Sequence, residues 1–164
     1  MTSTLSFLAR RWRASIAYAE RLVADVDETT WAAQPWSEVD ANGPLWVLGH
    51  LSMYGPVIAA VLLDQPIPDT RQGPFARGTQ PGDAMASKEE VLVRFLDGAE
   101  QAAAALESAD EARLSLPNPV ERLRGALPET GDLIFHLTTV HQAHHLGQLS
   151  GWRKAMGLPA VSMF

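Results

Sequence analysis

The chain contains no cysteine among its 164 residues. This absence excludes a disulfide framework, a thiolate nucleophile and a cysteine-ligated zinc site, so imidazole and carboxylate are the strong metal ligands that remain. Basic residues are also few: there are 13 lysines and arginines against 19 acids, without a basic run, and the net charge is −6. Because phosphate binding needs clustered lysine and arginine, nucleic acid is not expected as the main partner.

The N-terminus lacks a charged region followed by an apolar core, so no signal peptide is predicted and a cytoplasmic location is expected. A chain of this length is expected to form a single domain over residues 1–164.

Residues 44–63 contain no charged side chain and are long enough to cross a bilayer. The segment nevertheless contains His50, Gly55 and Pro56 and has no flanking basic cluster. We therefore expect a buried helix of a soluble protein rather than a membrane anchor.

Four segments carry the apolar spacing of helices, and no segment convincingly resembles a strand. The four segments cover residues 3–25, 44–63, 87–106 and 131–156. Ser87 and Glu90 form a capping box at the start of the third segment, and Gly157 is a stop signal after the fourth. Two long connections, residues 64–86 and 108–130, are rich in proline and glycine. This arrangement predicts an all-α fold, a four-helix bundle with two long connections.

Three of the five histidines fall between residues 141 and 145, inside the last helical segment. On a helix, His141 and His145 lie one turn apart on the face that meets the core, where both can bind one metal ion. His50, in the apolar second helix, is the best candidate for a third ligand. A single buried histidine is more simply explained by a hydrogen bond to a tyrosine, a glutamine or a carbonyl. For three inward histidines, a metal ion is the more economical explanation because it satisfies all three nitrogens together.

Three neighbours of these histidines are candidates for supporting roles. Tyr54 and Gln148 lie about one turn after His50 and His145, from where each can hydrogen-bond a ligand. Gln148 can equally cap a buried carbonyl. His144 can replace one of the ligands, because a spacing of three residues also places two side chains on one helix face.

The first connection, residues 64–86, is predicted to cover the open face of the site. A connection of this length without regular structure is usually either functional or disordered. Phe75 would provide an apolar wall, and a mobile surface loop is the alternative. Gly147 is expected to allow a neighbouring helix or loop to approach closely, because it has no Cβ.

Two motifs resemble those of a known family. The pattern His141-x-x-His144-His145-x-Gly147-Gln148-Leu149 resembles the fourth-helix motif of the DinB-like superfamily, and residues 46–51 resemble its second-helix motif. The helix order and the two long connections also match, so the resemblance covers nearly the whole chain. It implies a divalent metal held by His50, His141 and His145. Other branches of this superfamily include bacillithiol transferases and mycothiol-dependent maleylpyruvate isomerases.

Three neutral imidazoles would leave the charge of a metal uncompensated and a coordination position open, so that the ion can polarise a thiol or a carbonyl. With the resemblance, this implies a metal-dependent and thiol-dependent transferase or isomerase with a small-molecule thiol or electrophile as partner. Zinc is expected first, with nickel or iron as alternatives. A metal-binding or stress-response module without catalysis is the alternative function, and a purely structural bundle is a third.

No catalytic acid or base can be assigned, because Asp64, Asp69 and Asp83 lie in a connection whose path the sequence does not define. A homodimer is expected, since the first and third helices show broad apolar and alanine-rich faces that a single bundle need not cover.

Overall fold

The computed structural model describes residues 3–33, 35, 42–79 and 86–163. Its α-helices are α1 (Thr4–Val23), α2 (Pro44–Ser52), α3 (Tyr54–Leu62), α4 (Lys88–Ser108), α5 (Thr130–Phe135) and α6 (Gln142–Ala155). A π-helical stretch, His136–His141, joins α5 to α6, and short 3-10 helices cover Glu111–Ser115 and Glu121–Leu123. No strand occurs in the described ranges. The predicted all-α four-helix bundle is confirmed, with α2 and α3 as its second member and α5 to α6 as its fourth.

Helix α1 begins and ends where side chains complete its backbone hydrogen bonding. The Ser3 hydroxyl accepts a hydrogen bond from the Ser6 amide at 3.1 Å, which satisfies one of the free donors of the first turn. At the other end, the Lys88 ammonium group donates to the Val23 carbonyl at 2.9 Å. Between these caps, Leu8, Trp12 and other residues at helical spacing are buried. The helix thus packs one apolar face on the bundle.

The second member of the bundle is interrupted at Met53, where a continuous helix to residue 63 was predicted. Pro56 explains the interruption, because it has no N–H for the preceding turn and its ring disfavours a regular helix there. The helix start also differs: Gly43, not Asn42, is the N-cap, and no side chain caps it. Helices α2 and α3 are therefore two short helices with a small offset between them.

Close backbone approach holds α3 against α4. A Cβ atom on Gly55 would lie 2.1 Å from the carbonyl oxygen of Gly98, a distance that no side chain permits. The two backbones therefore pack together without intervening side chains, and this contact sets the position of α3.

The stretch Pro44–Leu62 is long and apolar enough to cross a membrane by length and composition. In the fold, 83% of its most apolar window is buried inside the protein. This burial agrees with the prediction of a core helix in a soluble bundle.

The fourth member of the bundle is not a continuous α-helix, in contrast to the prediction for residues 131–156. In its π-helical stretch the Thr138 hydroxyl donates to the Ile134 carbonyl at 2.7 Å, and the Thr139 hydroxyl donates to the Phe135 carbonyl at 2.6 Å. Side-chain bonds of this kind compete with the helical ladder and distort it. The sequence held a signal for the distortion, since three β-branched residues in a row, Thr138 to Val140, disfavour a regular helix.

An ion pair between buried Arg153 and exposed Asp25 anchors the end of α6. Arg153 is only 2% exposed, and its guanidinium pairs with Asp25 and donates to the carbonyls of Leu22 and Pro159, each at 2.8 Å. These bonds fix α6 to the end of α1 and to the C-terminal tail. The helix that carries two of the histidines is thereby held in position.

The alanine-rich face of α4 packs against other helices of the same chain. Ala99, Ala102, Ala103 and Ala105 are all buried, and α4 contacts α1, α2 and α3. The small side chains allow these helices to lie close together. This face therefore gives no reason to expect a dimer.

Candidate metal centre

His50, His141 and His145 come together at one point of the bundle interior. Each offers one ring nitrogen, and these nitrogens lie within 4.8 Å of one another. His50 comes from the last turn of α2, His141 from the end of the π-helical stretch and His145 from the first turn of α6. His50 and His145 are buried, at 3% and 7% exposure, and His141 is half-buried. Residues 91 positions apart in sequence thus form one cluster.

Hydrogen bonds fix the orientation of two of these rings. The Nδ1 atom of His50 lies 2.7 Å from the carbonyl oxygen of Phe75. Since a carbonyl only accepts, Nδ1 must carry the proton and donate it. In the same way, Nδ1 of His145 donates to the side-chain oxygen of Gln148 at 2.8 Å. In both residues the proton on Nδ1 leaves the lone pair of Nε2 for the cluster.

Aromatic rings enclose the cluster on two sides. Trp46 stacks on His50 with ring centroids 4.6 Å apart and planes 9° from parallel. On the other side, the Tyr54 ring lies 4.3 Å from His141 and 5.0 Å from His50, between ring centroids. These rings limit the rotation of the imidazoles and exclude water from part of the cluster.

The first connection returns over α2 and holds it. The ring of Phe75 is buried against Gly49, where a Cβ atom would lie 2.4 Å from the ring. The Trp46 indole N–H donates to the Thr79 hydroxyl at 3.0 Å. The described part of residues 64–86, up to Thr79, therefore packs on α2 beside the cluster. Coverage of the open face by this connection stays a prediction. Residues 80–85, which include Asp83, lie outside the described residues.

The three histidine nitrogens are better explained by a shared metal ion than by hydrogen bonds among themselves. The Nε2 atoms of His50 and His141 are 3.3 Å apart, and two imidazole nitrogens bound about 2.0–2.1 Å from a tetrahedral ion lie roughly 3.3 Å apart. In His50 and His145 the Nε2 atom is an acceptor, because Nδ1 carries the proton. Without a metal, the single N–H of His141 can bond only one of these two acceptors, and the other lone pair stays unsatisfied. With Nε2 of His141 bound to a metal, the buried Nδ1 atom of the same ring would still have no hydrogen-bond partner within the described residues.

Burial lowers the pKa of all three imidazoles. The pKa is about 3 for His141 and about 4 for His145, mainly through desolvation and further through the neighbouring histidines. For His50, burial lowers the pKa while the hydrogen bond to Phe75 opposes this shift. All three side chains are therefore neutral at pH 7, which is the form that binds metals.

These pKa shifts predict that the metal-free protein loses stability as the pH falls from about 6.5 toward 4. The unfolded chain takes up protons near the histidine reference pKa of about 6.5, whereas folded His141 and His145 do so only near 3 and 4. The unfolded state then binds more protons, so the free energy of unfolding falls with the pH, by several kcal/mol, and is flat above about pH 7. Urea titrations across this range measure the loss. A His141→Leu variant with an equally steep pH dependence would contradict the assignment.

The other residues predicted to support the cluster differ in whether they contact it. Gln148 accepts a hydrogen bond from His145, which is one of the two roles expected for it, and its amide nitrogen donates to Nε2 of exposed His144 at 3.2 Å. His144 therefore points away from the cluster and does not replace a ligand. Tyr54 contacts two rings but makes no hydrogen bond to them. Gly147 has open space around its Cβ position, so the expected close approach of a neighbour is wrong.

Neither described aspartate of the first connection reaches the cluster. Asp64 is exposed and pairs with Arg113 at 3.1 Å. Asp69 is exposed and pairs with Arg71 at 2.8 Å, and this bond holds the pKa of Asp69 well below its usual range. The contacts of Phe75 and Thr79 could not be read from the sequence, since they join parts of the chain about 25 to 33 residues apart.

The comparison with protein families agrees with this geometry. The family model described as the DinB superfamily matches residues 8–149, a range that includes all three histidines and Gln148. Comparisons with curated proteins and with solved structures give no match. The match spans most of the chain, and the helical bundle and the three-histidine cluster both accord with it. The chain therefore belongs to the DinB superfamily.

Proposed function

We propose that this protein is a metal-dependent transferase or isomerase that acts with a small thiol. The observation that carries the proposal is the donor set: three histidine nitrogens meet, and no aspartate or glutamate of the described part joins them. Structural zinc sites usually have four protein ligands, so a set of three leaves a position for another molecule. A divalent ion held by His50, His141 and His145 would supply Lewis-acid chemistry that polarises a thiol or a carbonyl.

The residues around the histidines support this role by orienting the donors. The Phe75 carbonyl and the Gln148 side chain fix the protons of His50 and His145 on Nδ1, and partners of this kind typically raise metal affinity 10- to 100-fold. Zinc is our first proposal for the metal, with nickel or iron as alternatives, because imidazole suits all three.

Thiol binding by the cobalt-loaded protein tests the proposal. Addition of 2-mercaptoethanol is expected to produce a sulfur-to-cobalt charge-transfer band in the near ultraviolet, because the open position accepts a thiolate. The matched control is 2-methoxyethanol, which has no thiol and should leave the spectrum unchanged. Thiol-transfer assays with small electrophiles then follow. A protein that binds cobalt but shows the same spectrum with and without the thiol would contradict thiol-dependent function.

One observation favours a second candidate, a metal-binding or stress-response module without catalysis. Asp64 and Asp69 are paired at the surface, so neither of these carboxylates can act as a general acid or base beside the imidazoles. Tight metal binding without any effect of thiols would select this second function.

A cytoplasmic location and a homodimer complete the proposal. The surface available for a dimer lies on α1 and the fourth helix, where Phe7, Phe135 and Val140 are each about half exposed. Burial of such side chains would stabilise a symmetric pair. Sedimentation equilibrium should give the mass of two chains for the parent and of one for Val140→Asp. Val93→Asp is the matched control, because Val93 is as exposed on α4; a single-chain mass for the parent would refute the dimer.

A further inference from the structure

A cleft of about 470 Å³ lies beside the histidine cluster. Its walls come from α3, the fourth helix and both long connections, through residues 67–71 of the first and 119–123 of the second. The volume falls in the range of small-molecule sites, roughly 300–1,000 Å³. Both connections thus contribute to one concave surface next to the candidate metal centre.

Tyr54 joins the cleft to the histidines. It lines the cleft, and its ring contacts both His50 and His141, with centroids 5.0 Å and 4.3 Å away. Val57, Leu133 and Leu137 provide an apolar floor around it. A molecule in the cleft therefore lies against apolar side chains and has one tyrosine between it and the imidazoles.

The charges that line the cleft leave one cation without a counter-ion. Asp69 and Arg71 form a two-pronged ion pair, with distances of 2.8 and 2.9 Å. Glu121 pairs with Arg124 at 3.5 Å. Arg122 is exposed, and no residue of the described ranges forms an ion pair with it. The cleft thus offers an apolar floor with an available guanidinium group at its rim, which suits a carboxylate.

We infer that the substrate of the proposed reaction is a small carboxylate with an apolar body, and that it binds in this cleft. Its apolar part lies on Val57, Leu133 and Leu137, its carboxylate on Arg122, and its reactive end at Tyr54 toward the histidines. This assignment of a substrate class rests on the proposed function.

A second groove in the same protein provides an internal control. It has a similar volume, about 440 Å³, and lies between α1 and the fourth helix. Arg11 lines it, is exposed, and likewise has no ion-pair partner among the described residues. A carboxylate that merely seeks an apolar surface with an arginine would use both places equally.

Titration of the ¹⁵N-labelled, metal-free protein with 3-phenylpropionate tests the inference. We expect amide shifts in residues 54–57, 67–71, 119–123 and 133–137, with few in residues 142–150. Because an exposed ion pair contributes modestly, Arg122→Ala should weaken binding about two- to fivefold, whereas Arg11→Ala should not. The neutral analogue 3-phenylpropanamide should bind more weakly to the parent and be insensitive to Arg122→Ala.

Three results would overturn the inference: no binding at millimolar concentration, shifts confined to the second groove, or equal affinity for the parent and Arg122→Ala. Zinc titration of the same samples examines the proposed function separately. Absence of zinc-induced shifts around residues 141–145, with intact Arg122-dependent binding, would refute the metal-dependent reaction while leaving the cleft as a carboxylate site.

Discussion

Replacement of His145 by alanine is expected to abolish stoichiometric metal binding. The variant loses one of three donors and also the Nδ1–H that Gln148 holds at 2.8 Å. The remaining pair, His50 and His141, has Nε2 atoms 3.3 Å apart and can only form a two-ligand site. Since loss of an orienting partner alone typically costs 10- to 100-fold in metal affinity, removal of a donor should cost more than about a hundredfold. Elemental analysis after dialysis and competition with a chelating dye measure the change.

The neighbouring residues supply matched controls for this experiment. His144→Ala removes an exposed imidazole whose described bond is to Gln148, so metal content should stay at the parent level. Gln148→Ala should give an intermediate loss of about 10- to 100-fold, because the ring of His145 remains but loses its anchor. Loss of metal in His144→Ala with retention in His145→Ala would reverse the ligand assignment. Unchanged metal content in all three variants would place the metal elsewhere.

Substitution of Gly55 by alanine is expected to destabilise the fold by at least about 3 kcal/mol. The new Cβ atom would lie 2.1 Å from the Gly98 carbonyl oxygen, so α3 and α4 must separate. The separation would disturb the packing of the buried side chains on both helices and the placement of Tyr54 beside His141. Urea denaturation measures the loss, with circular dichroism to report whether the variant folds.

Substitutions at two other glycines serve as comparison variants for the change in stability. At Gly98 an added Cβ would meet Pro56 and the Ser52 carbonyl at 3.1 Å, so Gly98→Ala should cost less than Gly55→Ala. At Gly151 on α6 nothing lies within 4 Å, and Gly151→Ala should stabilise the protein by about 0.5–1 kcal/mol through helix propensity. Equal stabilities of the Gly55 and Gly151 variants would show that α3 and α4 do not pack as closely as described.

Much of the architecture could be predicted from the sequence because it depends on local spacing. Apolar residues at three- and four-residue steps mark the four bundle members, and the capping box at Ser87 and Glu90 marks the start of α4. The helical spacing did not predict the two irregularities within these bundle members. The break at Met53 depends on Pro56 and on the contact of Gly55 with α4, and the π-helical stretch depends on hydroxyl groups that bond carbonyls one turn earlier.

The sequence by itself determined the family, the all-α bundle and the three histidines, because helical periodicity placed His141 and His145 on one inward face and the apolar second segment placed His50 in the core. Only the tertiary structure decided how those histidines are held. The carbonyl of Phe75 orients His50 because the first connection returns across Gly49, and burial by several elements lowers the pKa of His141 and His145. The cleft beside Tyr54 likewise requires both long connections to meet. Such contacts join distant segments, and their energies depend on three-dimensional packing that no local pattern contains.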